Sequence, residues 1–499
     1  MTSFPEFEAA PPSKTTGQPP GLYVLFGAEM WERFSYYGMR ALLVLYLTKH
    51  LDYARSDALA LYALYTGLAY FTPLIGGYMA DKVLGQRKAI LSGGILMALG
   101  HFAMAFEHLL LLALSLLIIG NGFFKPNIST MVGNLYPQGD NRRDVAYTIF
   151  YMGINLGAFI APLVCGWLGE NPRYGWHYGF AAAGVGMVLG LISFLSFQGL
   201  LRGGYPPGRE EAGKANLVVM DWVHIALTVA TCAGLAFLFS LLLPSLQPVA
   251  DRIMMVIALV FLGALVFVFS KAIATRTSEA GEYWQRISVI LIVSVFSIVF
   301  WMGFEQSGGT LNLFADAKTE RNILGWQFPA SFFQSINPLL IVLLAPVVAL
   351  IWSLIEKTRF RITSSAKMGL GLVILGLAFV VMNEAEKLAG TNGKVGPQWL
   401  SAVFLLLTLG ELCLSPIGLS LVNKLAPAPV ASLMMAVWFL CTAVANYLAG
   451  RLEHLLAVFS QWYDVEINLW VFLIASSIIP GLMLLALTGP LKKMAHGRL

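Results

Sequence analysis

Long apolar runs dominate the chain, and short polar joints separate them. Each run holds about 20 residues, the length that an α-helix needs to cross the roughly 30 Å hydrocarbon core of a bilayer. Turn and charge signals mark the joints, for example over Tyr136–Asp140 and Arg202–Gly208. The pattern predicts fourteen membrane helices, over residues 22–49, 57–80, 88–106, 108–134, 143–169, 176–199, 219–243, 250–274, 284–315, 327–354, 366–383, 397–424, 429–456 and 467–489.

Composition supports an all-α integral membrane protein. Of the 499 residues, 58% are hydrophobic and 12% are charged, whereas soluble domains average roughly 45–50% and about 25%. These values exclude a soluble enzyme and a disordered scaffold, and the net charge of +5 is too small and too dispersed for a nucleic-acid surface. The cysteines lie in apolar runs without a CxxC pair, so we expect them to be small core residues: Cys165, Cys232, Cys413 and Cys441.

The distribution of Lys and Arg predicts the orientation. With the N-terminus inside, cytoplasmic segments hold twenty of these residues and outer segments hold nine. The excess of positive charge inside predicts a multi-pass protein of the cell membrane with both termini in the cytoplasm. The spans divide as six, two and six, which predicts a flexible N-terminal tail over 1–21, a six-helix bundle over 22–199, a linker with two additional helices over 200–283, a second bundle over 284–489 and a basic tail over 490–499.

Seven charged residues lie well inside predicted spans: Glu29, Glu32, Arg33, Arg40, Lys125, Glu305 and Glu411. Each costs about 2.5–3.5 kcal/mol at mid-bilayer on insertion scales, so we expect them to face one another or water. Four of them form one stripe with Tyr36 on the first helix, at positions i, i+3, i+4, i+7 and i+11. An ion-pair cluster that only fixes packing is the alternative, but packing needs one or two pairs rather than a whole stripe.

Polar and aromatic side chains share helical faces in other spans. The groups are Asn121 with Lys125; Tyr147, Tyr151 and Asn155; Trp301 with Glu305; Gln334 with Asn337; Glu411 with Ser415; and Trp438, Thr442 and Asn446. A central polar cavity would collect them, although plain packing is the alternative for Trp301 and Trp438. Its cations come from the first six spans, and Glu305 and Glu411 come from the last six. The cavity would then have a positive wall facing an acidic wall, and a zwitterion the length of a di- or tripeptide would fit between them.

Four motifs carry a family resemblance. Glu29–Gly38 resembles the ExxERFxYYG signature of the proton-dependent oligopeptide transporters, the POT family of the major facilitator superfamily. Gly122–Asn127 and Phe150–Asn155 look like the signatures of that family's fourth and fifth helices, and Gly410–Pro416 resembles its GELxLSPxG stretch. The four motifs occur in the right order, and the likeness runs over about residues 22–489. The pair of extra helices between the bundles resembles the prokaryotic type of this family.

A fifth motif marks the superfamily. Gly76–Lys88 resembles the loop motif between the second and third helices of major facilitators. Its glycines would permit close helix packing. Asp81 and Arg87 would make a cytoplasmic charge contact that breaks during rocking, so we expect a conformational role for them and no ligand binding.

The resemblance implies a major facilitator fold, with two six-helix bundles and two extra helices, that imports di- and tripeptides with protons by alternating access. Peptide-like drugs would be further solutes. The resemblance implies no cofactor beyond the coupling proton, a lipid surround, no nucleic acid and no obligate protein partner. Arg40 and Lys125 would meet the peptide carboxylate, Glu411 its amine. Further expected binding residues are Tyr36, Tyr70, Asn155, Trp301, Asn337, Ser415 and Trp438, and the expected proton-coupling residues are Glu29, Glu32, Arg33 and Glu305.

One departure from the family concerns histidine. Mammalian members carry a histidine in the second helix that is linked to proton handling, and no histidine lies between Leu51 and Gly100 here. Coupling must then rest on carboxylates. Two alternatives of the same fold remain open: a carrier of nitrate or another small anion, and a proton-coupled exporter of peptide-like drugs. A membrane-embedded enzyme is disfavoured because the seven histidines are scattered and neither HExxH nor GxxxxGK[ST] occurs.

Overall fold

A computed structural model describes residues 17–137, 140, 142–201, 203–204, 219–275, 279–358, 362–427 and 430–497. Residues 1–16 of the predicted N-terminal tail lie outside this description. So do residues 202, 205–218 and 276–278 of the predicted linker, and the last two residues of the predicted basic tail. Throughout the described ranges the chain is helical, apart from one short β-hairpin and the connecting turns.

The first helix begins at Pro20, two residues earlier than predicted, and nine further helices and turns in the described part of the chain precede the long helix of the linker. In chain order the elements are α1 (Pro20–Lys49), α2 (Arg55–Phe71), α3 (Pro73–Met79), a π-helical turn (Ala80–Leu84), α4 (Gln86–Ala103), a 3₁₀ turn (Glu107–Leu109), α5 (Leu110–Asn134), α6 (Arg142–Glu170), α7 (Trp176–Ser196) and a 3₁₀ turn (Gln198–Leu200). The predicted helix over 57–80 is divided at Thr72. Pro73 has no N–H to continue the α-helical ladder, so a new helix begins there.

The rest of the chain begins with one long helix. The elements are α8 (Val219–Ala274), α9 (Glu279–Phe304), a 3₁₀ turn (Glu305–Gly308), α10 (Thr310–Lys318), β1 (Asn322–Ile323), β2 (Trp326–Gln327), a 3₁₀ segment (Ala330–Ser335), α11 (Ile336–Glu356), α12 (Ser364–Asn392), α13 (Pro397–Leu425), α14 (Ala431–Tyr463), α15 (Leu469–Ala486) and α16 (Thr488–Met494). The strands β1 and β2 pair antiparallel, and Leu324 and Gly325 turn between them with positive φ.

Two further predicted helices differ from the structure in where the helix is continuous. The predicted helix over 284–315 is interrupted after Phe304 by the 3₁₀ turn Glu305–Gly308, and Gly309 then adopts φ −109° and ψ −94° before α10 begins. In contrast, α8 is helical over all 56 of its residues, although two helices over 219–243 and 250–274 were predicted. Local apolar pattern sets which residues are helical, but it does not fix where the helical ladder breaks.

Twelve helical segments in the described part of the chain are long and apolar enough to cross a membrane. They are Arg55–Leu84, Glu107–Asn134, Arg142–Glu170, Trp176–Ser196, Val219–Leu242, Asp251–Ala274, Gly281–Lys318, Ala330–Glu356, Ser364–Thr391, Pro397–Leu425, Leu433–Tyr463 and Leu469–Ala486. The more polar helices α1 and α4 fall outside this set. The structure therefore supports a multi-pass membrane protein with twelve candidate spans, and the prediction of fourteen is not established by length and composition.

The chain forms two compact units. The first comprises the described residues of Met1–Gly38, Thr72–Ala161 and Phe180–Ser240; the second comprises Met39–Phe71, Pro162–Gly179 and Leu241–Leu499. Four of the five boundaries fall within α1, α6, α7 and α8, and the other lies between α2 and α3. These units are not the predicted bundles over 22–199 and 284–489, and the six–two–six division remains a prediction.

Small residues let helices of the first unit approach closely. A Cβ atom added to Gly76 of α3 would lie 2.0 Å from the carbonyl oxygen of Gly122 on α5, and one added to Gly93 of α4 would lie 2.6 Å from that of Gly120. Only glycine fits at such distances. An apolar cluster joins α4 and α5 to the first half of α8, which contributes Cys232 and Ala236. All four cysteines are buried and free.

Candidate functional site

The polar stripe of α1 is buried. Glu29, Glu32, Arg33 and Arg40 are each no more than 5% exposed. The helical repeat of 3.6 residues brings these side chains onto one face. The stripe crosses from the first unit into the second between Gly38 and Met39. Arg33 and Arg40 contact different groups.

Arg33 belongs to a charge cluster within the first unit. Its Nε atom lies 3.1 Å from Glu29 Oε1 and donates to Glu32 Oε2. Its guanidinium carbon lies 5.3 Å from the ring centre of Tyr36. Lys125 of α5 is close enough for its charge to attract both carboxylates. We call Glu29, Glu32, Arg33 and Lys125 the first-unit cluster, whose formal charges sum to zero.

Arg40 belongs to a second cluster, built from three different elements. Its Nη2 atom donates to Glu305 Oε2, and its Nε atom donates to the Tyr62 hydroxyl at 2.6 Å. Glu305 is 4% exposed and opens the 3₁₀ turn after α9, while Tyr62 lies on α2. A Cβ atom added to Gly308 would lie 1.9 Å from the Tyr62 hydroxyl, so glycine makes room for this contact. We call Arg40, Tyr62 and Glu305 the second-unit cluster.

Glu411 of α13 is held by the first turn of α11. Its Oε2 atom accepts a hydrogen bond from Asn337 Nδ2 at 2.9 Å, and the same nitrogen donates to the Thr408 hydroxyl at 3.1 Å. The Glu305 carboxylate is close enough to repel that of Glu411 electrostatically. The second unit thus brings together the two carboxylates expected from the last six predicted spans, one bound by a guanidinium and the other by an amide.

The predicted aromatic wall residues have packing contacts. Trp438 is buried, and a Cβ atom added to Gly418 would lie 2.4 Å from its ring, so the indole packs on that glycine. Trp301 is half-buried and makes edge contacts with Phe300 and Phe304, at ring-centre distances of 5.5 and 5.2 Å. These contacts agree with the packing alternative for both tryptophans, and the role in ligand binding remains a prediction.

Three other predicted binding residues occupy separate positions. Asn155 is buried on α6 and donates to the carbonyl oxygen of Tyr151 at 2.9 Å. Tyr70 lies in the last turn of α2, and Ser415 precedes Pro416 on α13; both are half-buried. Asn155 belongs to the first unit, as Lys125 does, whereas Tyr70 and Ser415 belong to the second, as Arg40 and Glu411 do.

The two residues predicted to be conformational have different surroundings. Asp81 is exposed and accepts a hydrogen bond from Gln86 Nε2 at 3.2 Å. Arg87 is buried and donates to the carbonyl oxygens of Leu201 and Gly203 at 2.7 and 2.9 Å. Arg87 therefore anchors the segment that follows α7, an arrangement that sequence pattern did not predict.

Sequence reasoning missed Tyr62 and Thr408. Helical spacing contained a signal for both. Tyr62 lies about two turns before Tyr70 on α2, and Thr408 lies three residues before Glu411 on α13. Neither is charged, so neither stood out among apolar neighbours in the way that an intramembrane carboxylate does.

A second group of missed residues surrounds Glu453 of α14. Arg55 donates to both oxygens of Glu453 at 2.9 and 2.7 Å. The Thr310 hydroxyl lies 3.1 Å from Glu453 Oε1 and 2.8 Å from Gln306 Oε1, and its single hydrogen is shared between these two acceptors. A cavity of about 410 Å³ opens beside Arg55, Thr310 and Glu453, and none of the predicted binding residues lines it. This cavity is therefore distinct from the candidate site.

Comparisons with known proteins agree with the sequence motifs. The family model described as the POT family matches residues 87–469. The peptide transporter YePEPT of Yersinia enterocolitica is 37% identical over 459 residues, which cover 87% of this chain and 87% of that protein. The di-/tripeptide transporter of Lactococcus lactis subsp. cremoris is 34% identical over 493 residues, which cover 96% and 97%.

A solved structure has the same fold. The crystal structure of a mutant peptide transporter POT in complex with sulfate matches with a TM-score of 0.79 and 34% identity, covering 97% of this chain and 98% of that one. A match of the family model over most of the chain and relatives above 30% identity over nearly its whole length establish its family. The chain belongs to the POT family of the major facilitator superfamily, whose members are membrane transporters and not enzymes.

Proposed function

We propose that this protein is a proton-coupled symporter that imports di- and tripeptides by alternating access. The buried ion pair between Arg40 and Glu305 carries the proposal. It joins a carboxylate that can take up a proton to a cation that can bind the carboxylate of a peptide, so proton binding and substrate binding become linked. The names of two relatives, a peptide transporter and a di-/tripeptide transporter, support peptides as the solute class.

In this proposal Arg40 and Lys125 bind the carboxylate of the peptide, and Glu411 binds its amine. The hydrogen bond from Asn337 supports the role of Glu411, because it orients the carboxylate without neutralising its charge. A small inorganic anion has no use for Glu411, which favours a zwitterion over nitrate. Asn155 and Ser415 bind the peptide backbone, and Tyr36, Tyr70, Trp301 and Trp438 line pockets for its side chains.

The transport cycle exchanges one ion pair for another. Protonation of Glu305 releases Arg40, whose guanidinium then binds the peptide carboxylate. With both ends of the peptide neutralised, the transporter closes to the outside and opens to the cytoplasm. Proton release from Glu305 re-forms its pair with Arg40 and resets the carrier. At no stage does a buried charge remain unpaired, which keeps the cost of each intermediate low.

The same proposal includes fourteen spans in the cell membrane, with both termini in the cytoplasm. Helix α1 has 30 residues, about 45 Å at 1.5 Å per residue, which exceeds the bilayer core. Its charges have partners inside the protein, so they do not prevent it from crossing the membrane. Helix α4 packs closely on α5 over most of its length and buries Arg87 and Lys88. Together with the twelve apolar segments, α1 and α4 make fourteen.

Uptake of labelled dialanine into proteoliposomes tests the function. We expect accumulation above the external concentration when an inward proton gradient and a negative-inside voltage are imposed, and loss of accumulation when a protonophore is added. Uptake that is independent of the gradient would contradict proton coupling. Absence of peptide uptake by folded protein would contradict the solute class and favour the small-anion alternative.

Competition of modified peptides with labelled dialanine for uptake tests which residues bind the amine and the carboxylate of the peptide. N-acetyl-dialanine has no amine, so it loses the charged contact with Glu411. Loss of such a contact weakens affinity by about tenfold or more. Dialanine amide, which lacks the carboxylate, is the matched probe for Arg40 and Lys125. Equal competition by all three peptides would contradict the assignment.

A further inference from the structure

The last residue of α6 contacts a segment far away in the chain. The Glu170 carboxylate accepts hydrogen bonds from the backbone N–H groups of Ala330 and Ser331, at 2.9 and 3.0 Å, one on each of its oxygens. Its side chain is 7% exposed. Ala330 and Ser331 begin a 3₁₀ segment, where the first N–H groups have no partner within the helix. A carboxylate at this position satisfies those donors and interacts favourably with the helix dipole.

Two further features hold α6 at this point. Arg321 lies beside Glu170, with its Nη1 atom 3.8 Å from Glu170 Oε2, and it also donates to Asp316 Oδ1 at 2.8 Å. One turn before Glu170, a Cβ atom added to Gly166 would lie 2.0 Å from Ser331 Oγ. The charge contacts of Arg321 and the close packing of Gly166 on Ser331 therefore both hold the end of α6 against Ala330–Ser335.

The segment that Glu170 holds leads directly to the candidate amine site. Ala330–Ser335 continues without a break into α11, whose second residue is Asn337. Asn337 donates to Glu411 and to Thr408. The same segment carries Gln334, whose Nε2 atom is buried without a hydrogen-bond partner in the described part of the chain. The position of Ala330 and Ser331 thus determines where two amide side chains lie.

We propose that Glu170 is a positioning residue for the amine site: it holds Ala330–Ser335 so that Asn337 orients Glu411 towards the peptide amine. The inference rests on the proposed function, because it assigns Glu411 to the amine. It adds that the end of α6 controls the affinity of a site on α11 and α13. Release of Glu170 from the two N–H groups moves Asn337 away from Glu411 and weakens peptide binding.

A double-mutant cycle tests whether Glu170 acts on the amine site through Asn337. Glu170→Gln keeps the shape of the side chain but removes its charge and one acceptor oxygen. We expect the KM for dialanine to rise about threefold to tenfold, with kcat nearly unchanged. Asn337→Ala should raise KM in the same direction, and the double variant should match Asn337→Ala alone. Effects that multiply in the double variant would overturn the proposal.

Glu384→Gln is the matched control. Glu384 is an exposed carboxylate on α12 that pairs with Lys387, a residue of the same helix. We expect its KM to equal that of the parent protein. A rise of the same size in this variant would mean that loss of any surface carboxylate explains the effect, which would overturn the specific role of Glu170.

Hydrogen exchange without peptide distinguishes this inference from the proposed function. We expect Glu170→Gln to lower amide protection at residues 330–337, and Glu384→Gln to leave it unchanged. If the parent protein takes up no dialanine, the proposed function fails, whereas the exchange data still decide whether Glu170 holds the segment. Unchanged protection in Glu170→Gln would overturn the inference even if peptide transport is established.

Discussion

Helix α1 carries two charge clusters about two turns apart, and their charges are satisfied in different ways. In the first-unit cluster, Arg33 contacts Glu29 and Glu32 on its own helix. In the second-unit cluster, Arg40 contacts Glu305, which lies 265 residues later in the chain. The first arginine is fixed by local geometry, whereas the second depends on another helix.

This difference indicates which cluster can act as a switch. Glu29, Glu32 and Arg33 lie on one helix, so movement of α1 against other helices does not by itself separate Arg33 from its carboxylates. Arg40 and Glu305 separate whenever α1 and the turn after α9 move apart. We infer that the contacts of Arg33 with Glu29 and Glu32 stabilise α1 and that the second-unit cluster carries the exchange of partners during transport. A proton-coupling role for Glu29, Glu32 and Arg33 remains a prediction.

The largest expected effect follows from Glu305→Gln. A glutamine side chain can hydrogen-bond to other groups but can neither bind nor release a proton at this site. We expect proton-driven accumulation of dialanine to be lost, while exchange of labelled for unlabelled peptide across the membrane continues. Both are measured in proteoliposomes. Persistence of accumulation in this variant would show that the switch lies elsewhere.

Glu453→Gln is the control for this experiment. Glu453 belongs to the second unit and pairs with Arg55, but its side chain is 24% exposed and that of Arg55 is 51% exposed. Pairs that water can reach contribute little, about 0–1 kcal/mol. We expect proton-driven accumulation of dialanine to be retained in this variant. Loss of accumulation in both variants would mean that proton coupling does not depend specifically on Glu305.

The next largest effect is on stability. Arg33→Leu leaves Glu29 and Glu32 buried without their guanidinium, and breaking a buried ion pair in this way costs about 3–5 kcal/mol. We expect the free energy of unfolding in detergent to fall by that amount, as measured by denaturant titration. The double variant that adds Glu32→Gln should recover most of it, because Glu29 and Lys125 then leave the cluster neutral again. A stable Arg33→Leu protein would mean that the first-unit cluster does not stabilise α1.

The smallest effect is expected for Tyr62→Phe. This variant removes one hydrogen-bond acceptor from Arg40 and leaves the ion pair with Glu305 intact. A single net hydrogen bond contributes about 1 kcal/mol, which corresponds to roughly fivefold in an equilibrium constant. We expect the KM for dialanine to change by no more than that, with accumulation retained. Tyr23→Phe, at an exposed position on helix α1, should have no effect.

Loss of proton-driven accumulation in Tyr62→Phe would change the assignment of the switch. It would mean that the tyrosine takes part in the exchange of partners and does not merely support Arg40. The second-unit cluster would then act as a three-membered unit, and the ion pair alone would not describe it.

Much of the candidate site could be predicted because charges inside membrane helices are rare. Glu29, Glu32 and Arg33 stand out in an apolar run, and their spacing alone places them on one face of a helix. Uncharged polar residues give no such signal. Tyr62 and Thr408 therefore became visible only through their contacts with Arg40 and Asn337.

In the fold, too, the hydropathy pattern predicts where helices lie but not where they are interrupted. Hydropathy predicted helices over most of the observed segments, since the length of an apolar run is a local property. It did not predict the interruption at Glu305–Gly308, which places Glu305 at the end of α9 beside Arg40. That interruption includes the close approach of Gly308 to Tyr62, a residue of another helix.

The sequence by itself determined the membrane class, the family and the polar stripe of α1, because each depends on residue types at short, regular spacing. The tertiary structure alone decided that Glu305 lies against Arg40, that Asn337 holds Glu411 and that Glu170 holds the segment before α11. These contacts join residues 74 to 265 positions apart. Helical periodicity relates neighbours within a few turns, and only packing of whole helices brings such distant residues together.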